Sequence, residues 1–463
     1  MREAPRSTIA ALATAPHPAG IAVVRASGPE TKAALRALFR GKKIPSEHAR
    51  EMIFGDLLDY KSGEVIDHAL AVFMPGPHSF TGEDVAEFQF HGSPLIVEKL
   101  LRSLYAFGCV PAEAGEFTKR AFLNGKLDLA QAEAIGELIT ATSEQALKIA
   151  GEHLKGKFSA VITSLGDPLR DTLAQIEATI DFPDEDISPD SRSALRSVMT
   201  TALESIQALL TTYSYGQVVR DGYRVLLCGR PNAGKSSLLN ALLGRPRAIV
   251  SPISGTTRDL IEESAIIGGY RYVFCDSAGL RSSTQDSIEQ MGIELAKERV
   301  PWADLVLFIV DATDTSHEWK EVLEYLRLHA KKIWMVTNKL DLNPQAMSHF
   351  FCDSTICSQN FYLSVKTRAG LSSLLEALTR EVHQTVTHSS EANQIVTNER
   401  QRSCLYKAEE ALVQTIKVLD EELPLEIVSA DLRSTLRSLD ELIGKTHTED
   451  ILGRVFSKFC IGK

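Results

Sequence analysis

Residues 229–237 read Gly-Arg-Pro-Asn-Ala-Gly-Lys-Ser-Ser, which matches the spacing G-x-x-x-x-G-K-[ST]. The stretch follows "YRVLLCG" (223–229), a short apolar run of strand length, and precedes the helical "SLLNALLG". A strand running into a glycine loop and then a helix is the setting in which this spacing binds phosphate. Gly229 and Gly234 let the backbone curl so that its amide N–H groups converge on an anion. The helix N-terminus adds a favourable dipole. Lys235 reaches the β- and γ-phosphates and the Ser236 hydroxyl can ligate magnesium, with Asn232, Ala233 and Ser237 completing the phosphate-binding stretch.

Four later elements define the nucleotide. "DSAG" (276–279) ends the strand-like "YRYVFCD"; Asp276 can hold magnesium through water, and the Gly279 amide can meet the γ-phosphate. "NKLD" (338–341) follows "KIWMVTN", and the Asp341 carboxylate can accept two N–H groups from a guanine edge, which adenine cannot offer. Asn338 can bond the base and the Lys339 stem can cover its face. "SVK" (364–366) supplies Ser364 and Lys366 to the remaining base loop, and "GTTRD" (255–259) supplies Thr257 as a second magnesium hydroxyl. Five such elements in this order at strand ends predict GTP binding and hydrolysis. One position departs from Ras-type enzymes: Leu280 stands where a water-orienting Gln follows the D-x-x-G motif. Asn232 could instead help hold a monovalent cation beside the phosphates, with Arg258 as a rival by charge.

At 463 residues the length suggests roughly three domains of ~150 residues each. Residues 1–122 mix strand patterns, "GIAVVRASG" (20–28), "HALAVFM" (68–74) and "DVAEFQFHG" (84–92), with a helical pattern at 94–108, and read as an α+β domain. Residues 123–216 are rich in Ala, Leu, Glu and Gln. They predict one long helix over 127–156, a second over 158–182 and a third over 191–213, with an acidic turn at 183–186. Residues 217–384 alternate strand and helix, as a parallel α/β sheet does, and 385–463 is helical again, notably 398–423 and 431–444. Long isolated helices need a packed partner, so the two helical blocks should pack together with the α/β domain inserted between them.

The net charge of −10 excludes a basic nucleic-acid coat, so any RNA contact must come from a local patch or a partner. Seven scattered cysteines fit reduced thiols in a cytoplasmic protein, and no apolar run approaches the ~18 residues of a membrane span. The N-terminal sequence shows no secretory pattern.

The chain resembles the MnmE (TrmE) family of tRNA-modification GTPases through "FTGEDVAEFQFHG" (80–92), "AGEFTKRAFLNGKLDLAQAEAI" (114–135), "IDFPDED" (180–186), "IVSPISGTTRD" (249–259), "DSAGLR" (276–281) and "ILGRVFSKFCIGK" (451–463), besides the phosphate loop. The resemblance implies a folate-binding α+β N-terminal domain, a discontinuous helical domain and an inserted P-loop, Ras-like G domain. It implies a homodimer built through the N-terminal domains and an FAD-containing partner, MnmG (GidA). Together these would add an aminomethyl or carboxymethylaminomethyl group at carbon 5 of the tRNA wobble uridine. It further implies a potassium site from Asn232, Ser251, Ile253 and Thr256, a water-placing acid at Glu289, and tetrahydrofolate contacts at Arg25, Glu87, Lys126 and Lys463.

Other features have plainer readings. "HFFCDSTIC" (349–357) lacks zinc spacing and reads as a loop of the G domain; Cys228 and Cys275 read as small core residues; His91 reads as a strand-end structural histidine. Cys460, in "FCIGK" (459–463), is a candidate thiolate for addition to carbon 6 of uracil, the alternative being a packed thiol. Two competing functions are a ribosome-assembly switch without modification chemistry and a scaffold that binds GTP but barely hydrolyses it. No K-homology loop or basic tail follows the G domain to support the former.

Overall fold

The computed structural model describes residues 7–182, 192–244, 262–276, 299–314, 319–345, 350, 352–386 and 394–463. The chain divides into two compact units. One comprises Met1–Gly136, His153–Met199 and Glu410–Lys463; the other comprises Glu137–Glu152 and Thr200–Glu409.

The first unit holds a seven-stranded sheet: β1 (Ile9–Leu12), β2 (Ala19–Ser27), β3 (Phe39–Gly41), β4 (Ile53–Leu58), β5 (Val65–Met74), β6 (Val85–Gly92) and β7 (Val110–Pro111), in the spatial order β3-β4-β5-β6-β2-β1-β7. All pairs are antiparallel except β1 with β7. Alternation of period two decides which face is covered. Ala22, Val24 and Ala26 of β2, Ala86, Phe88 and Phe90 of β6, and Ala69, Ala71 and Phe73 of β5 share a core with Leu35, Leu38, Leu100 and Leu104 from helices Thr31–Leu38 and Pro94–Phe107. The residues between them, among them Ile21, Arg25, Phe54, Leu70 and Glu87, point to the other face. The three strands and the helix expected here are present. Strands β1, β3, β4 and β7 are too short or too polar to show a clear period, and the sequence patterns do not reveal them.

The same unit carries helices Lys157–Asp181 and Leu425–Ile443, which pack together although about 250 residues separate them in sequence. Arg170 bonds Asp440, and Arg433 pairs with Glu177 at 2.8 Å across the seam. The paired helical blocks expected from sequence are thus joined. The long helix expected over 127–156 is instead two, Leu129–Thr140 and Glu144–Leu154. Asp128 opens the first with a reciprocal cap: its carboxylate accepts from Gln131 N (2.8 Å) and its amide donates to the Gln131 side chain (2.9 Å). Ser143 opens the second by accepting from Ala146 N at 3.2 Å. The Thr140-Ala-Thr-Ser143 run, weak in helix propensity and able to cap, outweighs the continuous apolar stripe. The helix expected over 191–213 likewise ends at Thr211, and a new one, Tyr213–Asp221, follows. The acidic turn at 183–186 lies outside the described residues.

The second unit holds a six-stranded sheet of β8 (Tyr223–Cys228), β9 (Glu262–Ile267), β10 (Tyr270–Asp276), β11 (Leu305–Asp311), β12 (Ile333–Asn338) and β13 (Gln359–Tyr362), in the order β13-β12-β11-β8-β10-β9. Only β9 with β10 is antiparallel. Both faces are covered. Val225, Leu227, Phe274, Leu307 and Trp334 line one core, and Leu226, Cys228, Cys275, Phe308 and Met335 the other. Strands buried on both sides read as unbroken apolar runs, which is why β11 is legible as "LVLFIV". The β9–β10 hairpin turns on Gly268–Gly269, both with positive φ, as a tight hairpin requires.

Two expectations are corrected here. The apolar run "FYLSV" (361–365) predicts a strand over those residues, but the strand is Gln359–Tyr362, because Ser364 and Val365 leave the ladder to bond Asp341 and Asn338. Cys352 and Cys357, expected as reduced thiols, are joined in a disulfide. A turn on Asp353, whose carbonyl accepts from Ile356 N and Cys357 N at 2.9 Å, brings their Cα atoms to 5.7 Å, within disulfide reach.

Candidate functional site

The parallel strands of the second sheet end together, and those predicted nucleotide residues that are described lie at or just after those ends. β8 leads into Gly229, whose φ is +150°; a Cβ there would lie 2.2 Å from the Ile309 carbonyl oxygen of β11. Gly234 has φ +96° and caps helix Lys235–Leu243; a Cβ there would lie 2.2 Å from Asn338 Nδ2. Both glycines are therefore required by close approach as well as by dihedral. Asn232 sits between them in the left-handed region at φ +61°.

Lys235 is buried, and its ammonium donates to the carbonyls of Gly229 (2.8 Å) and Arg230 (2.9 Å). This holds a cation across the mouth of the loop, where an anionic ligand can take it over. Ala233 is buried, while Asn232, Ser236 and Ser237 are exposed around it. Behind the loop, burial pushes the Cys228 thiol up to about 11, as suits a core residue. Cys275 is buried as well.

The base-reading elements are braced against this loop. Asn338 Nδ2 donates to the Ala233 carbonyl at 3.0 Å, and Asn338 Oδ1 accepts from Val365 N at 3.1 Å. Asn338 thus ties three chain segments together and keeps its second amide hydrogen for a ligand. Lys339, at φ +66°, bonds Asp311 Oδ2 at 2.7 Å, laying its stem along the site. Burial works against the Asp311 charge, yet the bonds from Lys339 and Thr313 hold its carboxyl below the usual range. The exposed Asp341 carboxylate accepts from Ser364 Oγ at 2.6 Å, and Lys366 is exposed two residues on. A cavity of about 380 Å³ adjoins the loop, lined in part by Arg230, Asn232, Asp311, Asp314 and Trp319.

Asp276 ends β10, with its Cα paired to Leu227 of β8, beside the phosphate loop. Ser251, Ile253, Thr256, Thr257, Arg258, Gly279, Leu280 and Glu289 lie outside the described residues. Of the expected magnesium hydroxyls only Ser236, and of the potassium set only Asn232, is therefore placed. Among the described residues no group of three or more His, Cys, Asp or Glu could hold a metal ion.

All four residues expected to contact folate lie in the first unit. Arg25 and Glu87 are cross-strand partners on β2 and β6, and Arg25 Nε and an Nη both bond Glu87 Oε1, at 2.8 and 2.7 Å. The Arg25 guanidinium lies 5.6 Å from the rings of Phe80 and Phe117. Lys126 donates to the Pro77 carbonyl at 3.0 Å, on the loop that carries Phe80. The segment 459–463 returns to the same sheet: Ile461 bridges Ala114, and a Cβ on Gly462 would lie 2.1 Å from the Leu12 carbonyl oxygen, one register step from Arg25. Lys463 follows it directly. Cys460 is exposed, with its carbonyl accepting from Gly115 N at 3.4 Å.

Sequence reasoning missed one buried network beside this region. Arg120, 1% exposed, bonds Glu116 at 2.8 Å, Glu83 at 3.1 Å and the Ser7 carbonyl at 2.9 Å; Glu83 in turn accepts from Ser27. The Glu116–Arg120 spacing of four on a helix was the available signal. His91 is exposed at the end of β6, with Nδ1 3.0 Å from Asp67.

Comparison with known proteins gives a consistent result. The family model described as the GTP-binding protein TrmE N-terminus matches residues 8–126, and that of the MnmE helical domain matches residues 129–460. The tRNA modification GTPase MnmE of Moorella thermoacetica is 40% identical over 466 residues, covering 98% of this chain and 99% of its own. Those of Desulforamulus reducens and Opitutus terrae are 38% and 39% identical over 461 and 462 residues, with the same coverage.

Proposed function

The chain belongs to the MnmE family of tRNA modification GTPases, and from that premise we propose that it hydrolyses GTP to time the modification of carbon 5 of the tRNA wobble uridine. The observation that carries the GTPase half is the braced loop. Lys235 lies across its mouth, Asn338 staples it to the 364–366 segment, and Asp341 is fixed by Ser364.

In this reading Lys235 and the amides of 232–237 bind the phosphates; Asp341, Asn338, Lys339, Ser364 and Lys366 hold guanine; and Ser236, Thr257 and Asp276 serve magnesium, with Gly279 at the γ-phosphate. Magnesium would neutralise charge developing on the phosphates. Potassium, held by Asn232 with Ser251, Ile253 and Thr256, would do so where other GTPases use an arginine finger, and Glu289 would place the water. Arg25, Glu87, Lys126 and Lys463 would orient a tetrahydrofolate derivative that supplies the one-carbon unit. We assign the partners as a second copy joined through the N-terminal domains and an FAD protein of the MnmG type, and the setting as the cytoplasm. Our division is 1–122 for the folate-binding domain, 123–216 and 385–463 for the helical domain, and 217–384 for the G domain.

The test compares GTP hydrolysis in potassium and in sodium at equal ionic strength, alongside tRNA nucleoside profiles of a deletion strain. The reading expects faster hydrolysis in potassium and an unmodified wobble uridine in the deletion. Equal rates would remove the cation assignment, and an unchanged nucleoside profile would remove the modification role.

A further inference from the structure

The chain is acidic overall, with 50 Lys and Arg against 60 Asp and Glu, yet residues 31–51 carry six Lys or Arg against two Glu. The fold carries five of the six, all but Arg50, on helix Thr31–Leu38, on β3 and just after it, at the end of the N-terminal sheet. Lys32 and Arg36 lie four residues apart on helix Thr31–Leu38, about 6 Å along its axis. Both face away from the buried Thr31, Ala34, Leu35 and Leu38. The helix runs directly into β3, the terminal strand of the sheet, which pairs with β4 alone. Arg40 lies on β3, and Lys42 and Lys43 follow it. Arg36 folds the next turn back onto the helix, donating to Ser46 Oγ at 3.0 Å and Glu47 at 2.9 Å, while Lys43 pairs with Glu51. All five cations are exposed. The side chains of Lys32, Arg40 and Lys42 make no hydrogen bond or ion pair among the described residues, although Arg40 stands opposite Asp56 of β4 in the strand register. The pairs of Arg36 and Lys43 are exposed, and such pairs contribute little and exchange readily for another anion.

We propose that this edge, Lys32, Arg36, Arg40, Lys42 and Lys43, is a docking surface for the sugar–phosphate backbone of RNA. The proposal deepens the reading above, on which the RNA is the tRNA substrate. Charge complementarity selects the partner. A group of exposed cations, three of them without a side-chain partner among the described residues, on an otherwise acidic molecule concentrates positive potential at one place, and a polyphosphate chain rewards several point charges at once through counterion release. Lysine and arginine on a terminal strand also discourage edge-to-edge pairing, but for that purpose any charge would serve, and a neutral polar edge would show itself by self-association.

The experiment uses the full-length protein and bulk tRNA, with binding measured by fluorescence anisotropy between about 50 and 200 mM salt. The variant K32Q/R40Q/K42Q removes the three cations that hold no partner among the described residues, so the fold is retained. We expect tRNA binding at low salt to weaken tenfold or more, and the slope of log K against log salt to fall by about 1 for each phosphate that the variant no longer neutralises. GTP hydrolysis, measured without tRNA, should stay unchanged. A variant that binds tRNA with the wild-type slope overturns the proposal, as does one that self-associates while binding normally. If wild-type protein binds no tRNA while the deletion strain lacks the wobble modification, this surface is not an RNA site but the family reading stands. If the modification is also unaffected, both fall.

Discussion

Replacing Asp341 by Asn isolates the base-reading step, because the structure fixes what the side chain touches without a ligand. Its Oδ1 accepts from Ser364 Oγ at 2.6 Å, and an asparagine Oδ1 can keep that bond. What changes is the remaining face. A carboxylate can accept from both the ring N–H and the exocyclic amine of guanine, whereas an amide presents one acceptor and one donor. Hydrogen bonds to a charged partner contribute about 1.5–3 kcal/mol each. The amide can keep the bond to the ring N–H but opposes its own N–H to the exocyclic amine, so one charge-assisted bond is lost, about 1.5–3 kcal/mol or roughly 10–10²-fold in GTP affinity. A base that carries a carbonyl in place of the exocyclic amine, as xanthine does, matches the amide and should bind the variant better than GTP does. Calorimetric titration with GTP and XTP reads both effects. GTP affinity within twofold of wild type would refute base reading by Asp341. Equal loss of both nucleotides would show instead that the 364–366 loop had collapsed.

Two further outcomes test the first unit. Arg120→Met strands Glu83 and Glu116, and removing one partner from a buried ionic network typically costs about 3–5 kcal/mol. Amide exchange across residues 116–126 should accelerate by about two orders of magnitude, and exchange at wild-type rates would show that the carboxylates find other partners. Cys460→Ser keeps size and polarity but removes the nucleophile. A reactive thiol predicts unchanged GTP hydrolysis with loss of wobble-uridine modification, while full modification by the variant would leave packing as its only role.

The G domain was legible because each of its working parts is a local pattern. Gly229, Gly234 and Lys235 lie within seven residues, and the requirement for positive φ and for an ammonium over the loop is met by that stretch alone. Apolar strands covered on both faces announce themselves as runs, and motifs at their ends fall into place once the sheet is parallel. Even so, sequence patterns assign Asn338 only to the base. Its two bonds, to Ala233 and Val365, join segments 105 and 27 residues away.

Away from the nucleotide loops the balance is the opposite. Composition and periodicity pointed to an α+β domain and to helical blocks on either side of an α/β domain. Tertiary structure decided that Arg25 faces Glu87, that Arg120 is buried between two carboxylates, that the 127–156 pattern breaks at Ser143, and that Cys352 meets Cys357. It also decided that Lys32, Arg40 and Lys42, a mere charge run in the sequence, share the end of a sheet. The physical reason is the same each time. Dihedral preference, capping and burial period act over a few residues and can be read along the chain, whereas strand register and charge pairing are chosen between segments whose separation carries no local signal.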